Sequence, residues 1–237
     1  MLDKIFLALI SIVPTLSILI FFICSDKFVE PKKNIFLAFI MGIFIIAPLE
    51  VVHYLSVIFF GKTPEYSNFS KAFINIAFLE ELFKFCILIF FCKKFIEFDE
   101  PMDGIVYGIT VSLGFAFWEN LQYIYIYNNP TIEKSITISW FRTFTALPSH
   151  AMHGIIMGFF IGKKFFSKTK TNLYLYLAVL IPVILHGFYD WILMSENLNN
   201  NLIYLIIVFE LILVIILYRD IRSKQLLKNK EKEKRFF

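Results

Sequence analysis

Seven apolar runs, each long enough to cross about 30 Å of hydrocarbon, constrain this chain more than any other feature. They lie near residues 5–24, 35–60, 72–92, 104–127, 146–162, 172–194 and 202–217. Backbone in lipid must satisfy its own hydrogen bonds, so such runs form helices. The expected fold is an all-α polytopic membrane protein of about seven transmembrane helices. Residues 1–217 read as one integral-membrane domain and residues 218–237 as a basic cytoplasmic tail. The first run could be taken for a signal peptide. It is long, follows a single Lys and has no small-x-small cleavage site, so it reads as a span. No internal repeat is visible.

Composition agrees. A chain that is 58% hydrophobic and 18% charged departs from the roughly 45–50% and 25% of soluble domains, which excludes a soluble fold and disorder together. Cys24, Cys86 and Cys92 are scattered, form no CxxC pair and read as small buried hydrophobes. Much of the net charge of +4 sits in Arg219, Arg222, Lys224 and the lysines that follow, directly after the last apolar run. That placement suits an anionic inner leaflet and not a nucleic acid. Basic residues also orient the chain. One set of inter-run segments, with the tail, carries 17 Lys and Arg; the other set carries 5, and Lys84 lies within the third run. Positive charge stays inside, so the N-terminus is expected outside and the C-terminus in the cytoplasm.

Chemistry is read from what interrupts the runs. Glu80, Glu81 and Lys84 share the third run. At about 2.5–3.5 kcal/mol each on insertion scales, three such groups are too costly to be incidental. Lys84 can reach Glu81 at i,i+3 and Glu80 at i,i+4, the latter being the favoured helical pair. One ammonium neutralises one carboxylate, and the other is free to move a proton; spacing makes Glu81 the freer base. The fourth run carries Glu119 and Asn120, the fifth His150 and His153, the sixth His186 with Asp190 four residues on. His150 heads a four-residue stripe with Gly154, Gly158 and Gly162, a pattern that brings helix backbones together. His153 falls on a neighbouring face, and packing is the simpler reading for it. At 1.5 Å per residue, Glu80, Glu119 and His186 lie about 12 Å from the outer ends of their runs, and His150 and Asp190 about 6 Å. Four runs thus bring acids and imidazoles to one level. Glu50 and His53 read as an internal pair, and the lone Glu210 as a packing residue.

Taken in order, Glu80-Glu81-x-x-Lys84, Asp103-Gly104, Tyr107-Gly108, Gly114-Phe115-x-x-x-Glu119-Asn120, Arg142, His150-Ala151 and His186-Gly187-x-Tyr189-Asp190 resemble the PrsW family of intramembrane proteases. The likeness covers residues 73–190. It extends to the prenyl-protein (CAAX-type) proteases, from which this chain departs by Lys84 in place of an Arg one position later and by Glu119 in place of a His. The resemblance implies hydrolysis of a peptide bond in a membrane-anchored protein, a signalling regulator, in a bacterial cytoplasmic membrane. Glu80, Glu81, His150 and His186 would be catalytic, supported by Lys84, Glu119, Asn120 and Asp190. A metal-free, glutamate-activated water is the expectation. The alternative is zinc on His150, His186 and Glu81, since two His with a carboxylate leave a position for water, although no HExxH is present. A proton- or cation-coupled transporter could use the same polar groups, but the chain lacks the repeated broken helices of that class.

Overall fold

The computed structural model describes residues 2–60, 67–126, 131–169 and 171–234, and all its regular elements are helical. They are α1 (Leu2–Ser25), α2 (Lys32–Phe44), α3 (Ile46–Phe60), α4 (Asn68–Ser70), a π-helical segment (Lys71–Phe78), α5 (Leu79–Phe90), a 3₁₀ turn (Cys92–Lys94), α6 (Pro101–Tyr125), α7 (Ile132–Phe144), α8 (Ala146–Phe166), α9 (Leu173–Met194) and α10 (Leu202–Lys234). Among the described residues, five helices are long and apolar enough to cross a membrane: Ile5–Ser25, Lys32–Leu55, Ile132–Phe166, Leu173–Met194 and Leu202–Leu227. Residues 72–92 and 104–127 are helical over most of their length as well. The first of these two carries three charged side chains, and the second is the centre of the bundle.

That centre is α6. Every residue from Met102 to Ala116 is buried, and its main partner is α8. The reason lies in two facing rows of glycine. A Cβ on Gly158 would collide with the carbonyl oxygen of Gly104, so the two backbones touch where side chains normally intervene. The stripe that begins at His150 is therefore the α6–α8 interface, and it draws His150 toward the bundle axis. Around this core, α1 and α10 expose rows of large apolar side chains such as Leu9, Val13, Leu16 and Ile20, and Leu205, Val208, Ile212 and Ile216. Apolar surface on this scale belongs against lipid. Cys24 lies on that exposed surface, contrary to the expectation of burial, whereas Cys92 is buried.

Two helix breaks have one cause. α2 gives way to α3 at Ile45, and α7 to α8 at Thr145; Pro48 and Pro148 stand three residues further on. A proline cannot donate to the carbonyl four residues back and its ring crowds that carbonyl, which here is Phe44 or Phe144.

The sequence places a loop between the fourth and fifth runs. Residues 127–130 lie outside the described residues, but Ile132–Phe144 is a helix. Its polar face, Ser135, Ser139, Arg142 and Thr143, is buried, while Ile132, Trp140 and Phe144 are exposed. Such an inverted helix has too low a mean hydropathy to be read as membrane-embedded. Residue 217 is likewise not an element boundary: α10 continues to Lys234, with Ile203, Glu210, Val214, Ile221 and Gln225 forming its buried stripe.

Candidate active site

Six helices, α5 to α10, deliver ionisable side chains to one buried cluster. α5 follows directly from the π-helical segment, a wide turn of the kind that recurs at functional sites. That segment packs closely on α9: Gly187 has no side chain where the ring of Phe73 sits. The fit sets Glu81 against His186. Glu81 Oε1 accepts hydrogen bonds from Lys84 Nζ at 2.7 Å and from His186 Nδ1 at 2.9 Å. Lys84 and Glu81 are both 0% exposed, and the ammonium also lies 4.5 Å from the centre of the Phe115 ring. The pairing differs from the i,i+4 expectation. Glu81 and Lys84 face the core together, while Glu80 turns aside; its Oε2 is 3.8 Å from His186 Nε2. Glu80 is thus the freer carboxylate, reversing the order read from spacing.

The three imidazoles are held differently. His150 donates from Nε2 to Glu119 Oε2 at 2.9 Å and accepts at Nδ1 from Lys84 Nζ at 3.2 Å, so both nitrogens are engaged. His186 Nε2 lies 3.3 Å from Asp190 Oδ2, the expected orienting carboxylate. His153, read from sequence as a packing residue, belongs to the cluster. It donates from Nε2 to Glu210 Oε1 at 2.9 Å, its ring stacks on that of His186 at 5.3 Å between centres, and Nδ1 is 3.7 Å from Glu81 Oε1. Glu210 also accepts from Ser149 Oγ at 2.7 Å. The sequence signal for Glu210 was its place on the α10 stripe, seven residues after Ile203.

Glu119 is tied from outside the cluster as well. Arg142 Nη2 donates to Glu119 Oε2 and Arg142 Nε to Asn120 Oδ1, each at 2.7 Å. Expected internal pairing of Glu50 and His53 places nothing here: both are exposed on α3.

Buried polar groups nearly always have partners. Here Glu80 Oε2, Glu81 Oε2, His153 Nδ1 and Asp190 Oδ2 are buried without a hydrogen-bonding protein group, all at one place. Ligand atoms of Glu81, His150, His153 and His186 lie within 4.8 Å of one another. Imidazole nitrogens with a carboxylate are a zinc donor set, and the spare Nδ1 of His153 gives that set a lone pair which no protein group uses, so these residues fit zinc. A narrow cleft lined by Glu119, Arg142, His150, His186, Tyr189 and Asp190 reaches the cluster. A larger apolar groove, about 560 Å³, runs along α5 and α9 between Phe78, Phe85, Tyr176 and Val183.

Fold and site together define an all-helical integral membrane protein with a buried acid–imidazole centre. The PrsW family intramembrane metalloproteases match residues 30–217, and the chain belongs to that family. It is 36% identical over 217 residues to Protease PrsW of Oceanobacillus iheyensis, covering 90% of this chain and 94% of that relative. Protease PrsW of Geobacillus kaustophilus is 33% identical over 187 residues, 78% of this chain and 79% of the relative. Protease PrsW of Clostridioides difficile is 33% identical over 217 residues, 89% and 87% of the two chains. No solved structure matches. The chain is an intramembrane protease.

Glu210 supplies a first test. Glu210→Gln keeps an acceptor for His153 but removes the charge that fixes it. Loss of such a supporting partner costs about 10–100-fold in activity, and cleavage kinetics should show it in kcat with KM unchanged.

Proposed function

We propose that this protein cleaves a membrane-anchored protein, a signalling regulator, at a peptide bond brought to the Glu80–Glu81 level. The observation that carries the reading is the convergence of Glu81, His150, His153 and His186 at one buried point in a chain of the PrsW family. That family membership favours hydrolysis over transport by the same polar groups.

Hydrolysis needs a base for water, a stabiliser for the oxyanion and an acid for the departing amine. Glu80 is the base and then the acid, because no close ion pair holds its carboxylate. Glu81 is the anchor: with Lys84 on one side and His186 on the other, it fixes the imidazole that faces the water. His150, locked between Lys84 and Glu119 at the cleft, would stabilise the oxyanion by turning its Nε2–H from Glu119 to the substrate. Asp190 orients His186, and Asn120 with Arg142 holds Glu119. A zinc ion, where bound, would be held by Glu81 with His153 and His186, His150 standing close by, and would polarise the carbonyl and acidify its water. The groove along α5 and α9 gives an apolar segment a lateral approach to this level.

The chain crosses the bilayer about seven times, residues 1–217 forming the protease domain, with the N-terminus outside and residues 218–237 in the cytoplasm. In a Cys-free background, a Cys at Asn129 should be labelled from outside and one at Lys230 should not; the reverse would invert the orientation. For the activity, the purified protein in liposomes should cleave a tagged single-span peptide. Ion flux without cleavage would reject the protease assignment for this site, and activity abolished by a chelator and restored by zinc would settle the metal.

A further inference from the structure

A second cluster lies at the other end of α6. Asp103 stands in the first turn of that helix, sixteen residues before Glu119, or about 24 Å along the axis. Asp26 and Glu30 join it from the connection between α1 and α2. All three are buried, at 1%, 5% and 5% exposure, and each offers an oxygen within 4.8 Å of the others.

Ordinary structural roles account for half of these oxygens. Asp103 Oδ2 accepts from the backbone N–H groups of Asp99 and Glu100, closing the cap of α6. Asp26 Oδ1 accepts from Phe28 N at 3.1 Å and from Gln225 Nε2 at 2.5 Å, and Glu30 Oε2 accepts from the Tyr107 hydroxyl. The second oxygens of Asp26 and Asp103 are left over: each is buried and has no hydrogen-bonding partner. Among the described residues, no Lys or Arg forms an ion pair with any of the three. Arg222 gives its own hydrogen bond to Gln225 Oε1. Three clustered carboxylates need a positive partner to stay ionised, and among the described residues no ion pair supplies one, Arg222 acting on Asp26 only through space.

We propose that Asp26, Glu30 and Asp103 bind one hard divalent cation of the Mg²⁺/Ca²⁺ class. An all-oxygen carboxylate set selects such ions over zinc, which the imidazole-rich cluster suits better. The ion would join the α1–α2 connection to α6. It would also fix α10, whose Gln225 donates to both Asp26 and Glu100.

The test uses the full chain in detergent, stripped with a chelator and then titrated separately with Mg²⁺, Ca²⁺ and Mn²⁺. One equivalent should bind, at least tenfold more weakly in Glu30→Gln and Asp103→Asn and unchanged in His186→Ala; the titrations rank the ions. Binding lost in His186→Ala but kept in Glu30→Gln would put the ion at the protease centre and overturn the proposal. A readout that needs no carboxylate variant uses Cys24, exposed and two residues from Asp26. With Cys86 changed to Ser, a nitroxide on Cys24 should be broadened by Mn²⁺, and excess Mg²⁺ or Ca²⁺ should reverse it. Absence of broadening, or of saturable binding by all three ions, would mean that a shared proton neutralises the cluster.

Discussion

Glu80→Gln should give a folded protein that cleaves about 10²–10⁴-fold more slowly, the usual cost of losing a placed general base. The fold should persist because Glu80 makes no close ion pair and a neutral amide is cheaper to bury than a carboxylate. Glu81→Gln should differ. It leaves the Lys84 ammonium, 0% exposed, without its counter-charge, and removing one partner of a buried pair costs about 3–5 kcal/mol. Activity and melting temperature should fall together in that variant. Adding Lys84→Met to Glu81→Gln should recover much of the stability and none of the cleavage. Assays of the purified variants on a single-span peptide, with melting followed in the same detergent, separate the two roles. Full activity in both Gln variants would end the assignment of water activation to this pair, and equal loss of stability in both would mean that Glu80 is structural.

The contrast between the two glutamates could not be read from the chain. Spacing says that both lie within reach of Lys84, but which one faces the core depends on the rotation of α5. The π-helical segment sets that rotation as it seats Phe73 on Gly187. A π turn adds a residue to the helical repeat, and no apolar periodicity announces it. The level of the cluster was legible for the opposite reason. Acids and imidazoles in apolar runs are rare and costly, so Glu80, Glu81, Glu119, His150, His186 and Asp190 stand out one by one, and a common depth links them.

His153 and Glu210 were missed because each looked solitary within its own run. Their partners lie on another helix, 57 residues apart in sequence, and a pair is visible only after α8 and α10 pack. α7 was missed because its polarity is inverted: Ser135, Ser139 and Arg142 point to protein, and Trp140 and Phe144 outward. Hydropathy averages such a helix to a loop. The Arg142 guanidinium was nevertheless part of the recognised pattern, and its partners explain why an Arg stands there.

Arg142 should be the most sensitive position outside the imidazole cluster. One planar group makes three contacts with α6: Nη2 to Glu119, Nε to Asn120, and its face 4.0 Å from the centre of the Tyr123 ring. Through Glu119 it also fixes His150, whose Nε2–H the Glu119 carboxylate accepts. Arg142→Ala should therefore cost up to about 3 kcal/mol, most of it from leaving the partly buried Glu119 carboxylate without its cation. Arg142→Lys should restore charge but not the fork, since an ammonium on a flexible stem cannot hold both acceptors in one plane. Its melting temperature should recover further than its activity. The double variant Arg142→Met with Glu119→Gln removes both charges and should melt well above Arg142→Ala alone, giving a coupling energy in the double-mutant cycle. It should still cleave poorly, because a neutral Gln held by nothing on α7 no longer sets the His150 tautomer. A melting temperature unchanged in Arg142→Ala would show that Glu119 is fully solvated there, and the path from α7 through Glu119 to His150 would not exist.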